Sequence, residues 1–333
     1  MSQAVAVTVT ARETAELLPF DIPAEVAADE IGGRALYSLI SPGTELNQMY
    51  LAPAFPTYPG YATVFVVEQV GADVDDVRPG DLGLGHGTHR SWQQVKAANT
   101  LALPPGLSPD IAPIVRLMAV TMTTLVTTRA RPGDRVMVTG AGPVGHLGAQ
   151  IFHLDGYDVS VVEPDSYRRE CLQHAGLEQV FPAVPVNDPA WHKTVDLVVE
   201  CSGHERAALD ACRIVRPTGE LVLVGAPWQR HTDVNVQELL RLVFFNYLTL
   251  RSGWEWELPH RPDHFAAHSL DRTYATAAQW LAAGRLYVDS FIEIVAPHDL
   301  QAVYQDLLHG RRKQLFTMID WNQDPSASIL LTS

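Results

Sequence analysis

The stretch Asp134–Asp165 constrains this chain more than any other. An apolar run, Val136-Met137-Val138, leads into Gly140-Ala141-Gly142-Pro143-Val144-Gly145. A helix-like segment from Val144 to Leu154 follows, Gly156 interrupts it, and a second apolar run from Val159 to Val162 stops at Glu163. Strand, glycine turn, helix and strand in that order make a β-α-β unit. GxGxxG at the first strand–helix junction, with an acid about 20 residues on, is the fingerprint of a dinucleotide site. Each glycine has its own physical duty. Gly140 permits the tight turn, Gly142 lets the backbone approach a pyrophosphate, and Gly145 lets helix and strand pack closely. The phosphates are expected on the free N–H groups at the helix start. Glu163 is expected to accept both hydroxyls of a ribose and to repel a 2′-phosphate, which favours NAD(H) over NADP(H). Arg168 and Arg169 are the side chains that would pair with such a phosphate instead.

The residues around this unit divide into distinct regimes. Up to about residue 110 the chain reads as all-β: the runs Val5 to Val9, Ala35 to Ile40, Thr63 to Val70 and Trp92 to Val95 alternate with Gly/Pro punctuation. From Ile111 to about Arg129 the apolar residues recur at helical spacing. Helices are then expected at Arg168 to Ala175, Arg206 to Val215 and Gln237 to Phe245. Strands are expected at Asp196 to Glu200, Glu220 to Val224 and Tyr247 to Leu250. This alternation predicts an α/β chain with a doubly wound parallel sheet. After Gly253 comes WEWELPHRPDHFAAH, with two Trp, three His and two Pro. Helix (Leu270 to Ala283), strand (Phe291 to Val295), helix (Pro297 to Leu308) and strand (Gln314 to Ile319) are expected to close the chain, with Ile329 to Leu331 as a docking segment in the tail.

Bulk properties exclude several classes. Of 333 residues 47% are hydrophobic and the formal charge is −14 with no basic run, so a nucleic-acid partner is not expected. The N-terminus lacks the basic start and apolar core of a signal peptide, and no apolar stretch reaches the ~18 residues that span a bilayer. Three cysteines, Cys171, Cys201 and Cys212, make no disulfide framework. A cytoplasmic protein with a small-molecule substrate is the expectation.

With these landmarks the chain resembles the medium-chain dehydrogenase/reductase family from Ala35 to Ile319. Val77-Arg78-Pro79-Gly80-Asp81 is similar to the family's "xxxGDxV" turn, Glu200-Cys201-Ser202-Gly203 to its "ECSG" loop, and Gly219 to Gly225 to its "GxLVLVG" strand. The resemblance implies a GroES-like β domain (1–112 with 253–333) and a Rossmann domain (113–252). It also implies a nicotinamide ring flanked by Val199, Cys201, Gly203, Val224 and Gly225, with the Thr121 hydroxyl nearby, and a homodimer or homotetramer pairing at the Tyr247 to Leu250 edge.

The departures from the family pattern carry as much information. Zinc members have "CGTDL" where this chain has Pro42-Gly43-Thr44-Glu45-Leu46, and "PGHE" where it has Pro59-Gly60-Tyr61-Ala62; a further ligand position falls at Arg116. Catalytic zinc needs about three N, S or O ligands from the protein, so the pattern implies a zinc-free member. It is similar to a branch that includes bacteriochlorophyllide hydroxyethyl dehydrogenases and enzymes of secondary metabolism. His86 with His89, and His260, His264 and His268 at i, i+4 and i+8, are the rival metal arrangements, but Pro262 interrupts the second. Without a metal, a hydrogen-bond donor must stabilise the developing alkoxide or enolate. Thr44 matches the family's proton-relay Ser/Thr; Tyr61 is a phenol in the vacated volume or packing that fills it; Arg116 holds a polar substrate or pairs with a carboxylate; Glu45 orients these groups. Trp254, Trp256 and His260 wall a substrate pocket or form a packed cluster. The implied activity is NAD(P)-dependent interconversion of a secondary alcohol and a ketone. Reduction of an activated C=C bond, as in enoyl or quinone reductases, and a non-catalytic nucleotide-binding role are the alternatives.

Overall fold

The computed structural model describes residues 3–323, so the expected docking segment Ile329 to Leu331 lies outside the described residues. In chain order the elements begin with β1 (Gln3–Ala11), β2 (Thr14–Asp21), β3 (Glu30–Ile40), α1 (Pro42–Glu45), β4 (Ala62–Val70), β5 (Leu82–Gly85), β6 (Trp92–Lys96) and β7 (Thr100–Ala102). Then come α2 (Val115–Thr127), β8 (Arg135–Thr139), α3 (Pro143–Leu154), β9 (Asp158–Val162), α4 (Ser166–His174), β10 (Val180–Phe181), β11 (Val195–Glu200), α5 (Glu205–Ile214) and β12 (Val215–Leu223). The remainder is α6 (Val236–Asn246), β13 (Thr249–Ser252), α7 (Leu270–Ala282), β14 (Ile292–Val295), α8 (Leu300–Leu308) and β15 (Phe316–Asp320). Two compact units result, one from residues up to 116 with 281–283 and those from 288 on, the other from 117–280 with 284–287. By these contacts 253–280 groups with the second unit, where the sequence reading returned the chain to the first.

The first unit is organised on a seven-stranded sheet, β14-β15-β3-β4-β5-β7 with β6 also on β3. β3 and β4 run antiparallel with irregularities at Gly32/Gly33 and Ala35/Tyr37. A Cβ at Gly33 would lie 1.8 Å from the Val66 carbonyl oxygen, so only glycine fits there. Val7, Val9, Ile40, Tyr50, Val303, Tyr304 and Trp321 form one core, which joins the N-terminal strands to α8 and the last described helical turn. The all-β expectation fails at 42–50, where α1 is followed by a π-helical turn, Leu46–Tyr50. Pro42 at the first helical position starts the turn with its preset φ. The Glu45 N–H donates to Ser41 O and its carboxylate accepts from Ser41 N–H, which closes the turn despite Gly43.

The second unit is a six-stranded sheet ordered β10-β9-β8-β11-β12-β13, and each neighbouring pair is parallel. Alternate residues of β8 face opposite layers. Val136 and Val138 pack with Phe152, Val161 and Val199, while Met137 packs with Val162, Val198, Ile214 and Leu221. A parallel sheet buried on both faces needs such unbroken apolar runs. The strand order reverses between β8 and β11, and the crevice beyond the strand ends at such a switch point is where open α/β sheets bind ligands.

Candidate functional site

At that switch point the glycine loop has the geometry its spacing predicts. Gly140 adopts φ +85° and its N–H donates to Val162 O at 2.8 Å. A Cβ at Gly145 would sit 1.9 Å from Gly140 O, so no side chain fits between turn and helix. Gly142 differs: within 4 Å its Cβ would meet only Nη1 of Arg168, at 3.9 Å. The glycine that packing does not require is therefore the one facing open space, as close approach of a pyrophosphate demands. Gly142 caps α3 and Pro143 opens it, so the outward N–H groups of the first turn are those of Val144 and Gly145. These residues fit a dinucleotide.

Glu163 is buried beside the loop at 5% exposure. Its Oε2 accepts the Ala141 N–H at 2.7 Å and its Oε1 the Asp165 N–H at 2.9 Å. A carboxylate has about four acceptor sites, so each oxygen keeps capacity for a ribose hydroxyl. Arg168 Nη1 lies 3.9 Å from Oε2. Arg169 instead donates to the carbonyls of Glu163 and Pro164, both at 2.7 Å, and so caps the end of the strand.

At the opposite end, Cys201, Gly203, Val224 and Gly225 are knotted through the backbone. The N–H groups of Val224 and Gly225 both donate to Glu200 O, and Cys201 N–H to Thr139 O. Gly203 has φ +66°, and a Cβ at Gly225 would lie 2.6 Å from the Cys201 carbonyl carbon. Glu200 organises this knot, a role that the sequence reading missed and that the motif at 200–203 alone could have signalled. Its buried carboxylate accepts from Thr139 Oγ1, Ser202 N–H, Gly203 N–H and the Ser202 hydroxyl. Burial pushes its pKa up, against those bonds, and burial also pushes the Cys201 thiol well above its usual range. Val199 is fully buried in the β11 core. Thr121 is fully buried on α2. Its hydroxyl donates to Met118 O at 3.2 Å and its methyl packs on Gly148.

In the first unit, Tyr61 and Arg116 come together with His86. Arg116 is 4% exposed; its guanidinium carbon lies 4.4 Å from the Tyr61 ring centroid and its Nε donates to His86 Nε2 at 2.6 Å. The Tyr61 and His86 rings are 5.9 Å apart. Because guanidinium nitrogens only donate, His86 Nε2 accepts and the ring proton is assigned to Nδ1. Thr44 is half-buried on α1. Glu45 is not on a substrate surface. Burial takes it into the core, where Ser41, His89 and Tyr304 occupy its oxygens. His89 is fully buried with it, so His86 and His89 have separate partners and do not act as one chelating pair. Pro42, Tyr61 and Arg116 offer a ring without a donor, a phenol and a cation. Among the described residues no three His, Cys, Asp or Glu cluster as a metal would require. This set does not fit zinc.

Trp254 and Trp256 are exposed, and the Trp256 and His260 rings lie 5.9 Å apart. The chain between the turn Glu255–Glu257 and α7 forms no helix, so His260, His264 and His268 share no helix face. No described helix is long and apolar enough to cross a membrane.

A family model described as zinc-binding dehydrogenase matches residues 143–255, from the first residue of α3 through the Glu200 knot. L-threonine 3-dehydrogenase of Pyrococcus abyssi is 27% identical over 216 residues, 62% of this chain and 56% of that protein. The 2-dehydro-3-deoxy-L-galactonate 5-dehydrogenase of Pseudoalteromonas atlantica is 29% identical over 216 residues, 63% of this chain and 58% of that one. The chain thus spans under two thirds of the length of these relatives. Among solved structures, galactitol-1-phosphate dehydrogenase from Escherichia coli superposes with a TM-score of 0.81 at 17% identity, covering 95% of this chain and 99% of that one. The chain thus has the fold of this dehydrogenase, and residues 143–255 match the zinc-binding-dehydrogenase model.

Proposed function

We propose that the chain is an oxidoreductase that interconverts a secondary alcohol and a ketone, uses NAD(H) in preference to NADP(H), and needs no zinc. The observation that carries the reading is the glycine loop at the start of α3, open at Gly142 and flanked by the Glu163 carboxylate. Relatives named as dehydrogenases of hydroxylated substrates support the reaction class. A bound nicotinamide supplies or takes the hydride. The chain's own residues do the rest. The Val144 and Gly145 N–H groups hold the pyrophosphate, Glu163 takes the ribose hydroxyls, and the Glu200 knot shapes the loop at 200–203. Thr44 holds and passes the proton of the substrate oxygen. Arg116, stacked on Tyr61, supplies fixed positive charge where a metal would otherwise stand. Trp254, Trp256 and His260 are assigned to substrate contact. The exposed apolar face of α6 and the edge strand β13 suit pairing with a second copy.

The test is calorimetric titration with NADH and NADPH, then turnover of a panel of secondary alcohols, ketones and enones before and after treatment with a strong chelator. NADH binding and alcohol–ketone turnover that survive chelation are expected. Thr44→Val is expected to lower kcat about 100-fold with cofactor affinity unchanged. Loss of an alkene with its carbonyl kept would assign a C=C reductase. Activity that disappears on chelation and returns with zinc would overturn the zinc-free reading.

A further inference from the structure

Below Thr44 lies a buried polar network that the proposed reaction does not itself use. Glu45 Oε2 accepts from Tyr304 OH at 2.6 Å and is 3.0 Å from His89 Nε2; its Oε1 accepts the Ser41 N–H at 2.7 Å. His89 Nδ1 is 2.9 Å from Ser38 Oγ, which also accepts the Trp321 indole N–H at 2.9 Å. Tyr304 stacks on Tyr50, with ring centroids 5.1 Å apart, and Tyr50 OH donates to Glu13 O. None of Ser38, Glu45, Tyr50, His89, Tyr304 or Trp321 exceeds 1% exposure. One carboxylate therefore ties together β3, α1, the loop carrying His89, α8 and the turn carrying Trp321. Burial and the Glu45 charge hold the Tyr304 phenol well above its usual range, so it stays a donor.

A network of this kind is a costly way to obtain stability alone. Removing a carboxylate from water costs several kcal/mol even after relaxation, and apolar side chains of similar volume often do as well or better. What apolar side chains do not supply is a fixed orientation. α1 is four residues long, contains Gly43, and has no side-chain cap on Ser41. Nothing intrinsic to Pro-Gly-Thr-Glu holds that turn at one rotation. Neighbours on a helix diverge by about 100°, so the direction in which Glu45 is pulled into the core sets the direction in which half-buried Thr44 faces.

We infer that Glu45, His89 and Tyr304 are positioning residues that fix the rotation of α1 and with it the hydroxyl of Thr44. The inference rests on the reading of Thr44 as the proton-handling group. The full chain is compared with Tyr304→Phe, His89→Leu, His89→Gln, Thr44→Val and the double variant Thr44→Val/Tyr304→Phe. Readouts are hydrogen exchange over 41–50 and kcat on the best substrate of the panel above. Tyr304→Phe and His89→Leu are expected to speed exchange of the 41–45 amides and lower kcat about 10- to 100-fold, with KM for NADH unchanged. Gln at position 89 can donate to Glu45 and accept from Ser38, so His89→Gln recovers most of kcat. In the Thr44→Val background, Tyr304→Phe should produce no further loss. Unchanged exchange, or a Tyr304→Phe loss equally large without the Thr44 hydroxyl, overturns the inference. Full kcat in Thr44→Val instead overturns the reading of Thr44, so the two failures are distinct.

Discussion

Gly142 and Gly145 share one motif, yet a methyl group meets different surroundings at each. Gly145→Ala would drive a Cβ to 1.9 Å from the Gly140 carbonyl oxygen, a backbone atom that cannot swing aside. We expect destabilisation of about 3 kcal/mol or more, read as a lower denaturation midpoint. Gly142→Ala would meet only the end of the Arg168 side chain. It should melt like the parent yet bind NADH at least about tenfold more weakly; unchanged binding would mean that no pyrophosphate approaches there. Glu163→Ala removes the acceptor of the Ala141 and Asp165 N–H groups as well as the ribose acceptor. It should weaken NADH binding by about 1.5–3 kcal/mol and NADPH binding less, and an equal loss for both cofactors would deny the carboxylate any part in discrimination. At this scale the glycine conformations were legible because backbone sterics act locally. The burial of Glu45 was not, because whether a carboxylate faces a ligand or the core depends on elements distant in sequence.

Among the helices, α3 contains a group whose titration is set by packing. His146 is fully buried, and burial lowers its pKa from 6.5 to about 4, opposed by a hydrogen bond with the Tyr287 backbone. Its folded pKa lies below its unfolded one. Between those values the unfolded chain binds a proton that the folded chain refuses, so stability is lost as pH falls from 6.5 towards about 4. Full loss amounts to about 3 kcal/mol. Thermal melts across that range should show the decline, and His146→Leu should flatten its slope; an unaltered slope would assign the decline to other groups. Apart from the two-residue β10, the strands and helices of the second unit's sheet were readable from period and punctuation. The turn at α1 was not, because its four residues carry no helical period and are held by a carboxylate drawn into a core built from both ends of the chain.

At the scale of the whole molecule, α6 is apolar on two sides. Leu239, Leu242 and Val243 pack on the sheet, while Val236, Leu240 and Phe244, spaced at i, i+4 and i+8, are exposed, and β13 is an edge strand of that sheet. An exposed apolar stripe and an open sheet edge both favour association. The parent chain is expected to run as a dimer or tetramer in light-scattering chromatography, and Leu240→Asp/Phe244→Asp as a monomer with unchanged circular dichroism; a monomeric parent would remove the argument. The sequence by itself determined the β-α-β unit and its glycine geometry. These depend on local sterics, periodicity and side-chain chemistry, which neighbouring residues define. Only the tertiary structure decided that Arg116 lies on Tyr61 and pairs with His86, that Glu200 ties the loop at 200–203, and that Glu45 meets His89 and Tyr304. Those partners are separated by up to 259 positions in the chain, and a buried polar group takes whichever donor the packed core brings to it.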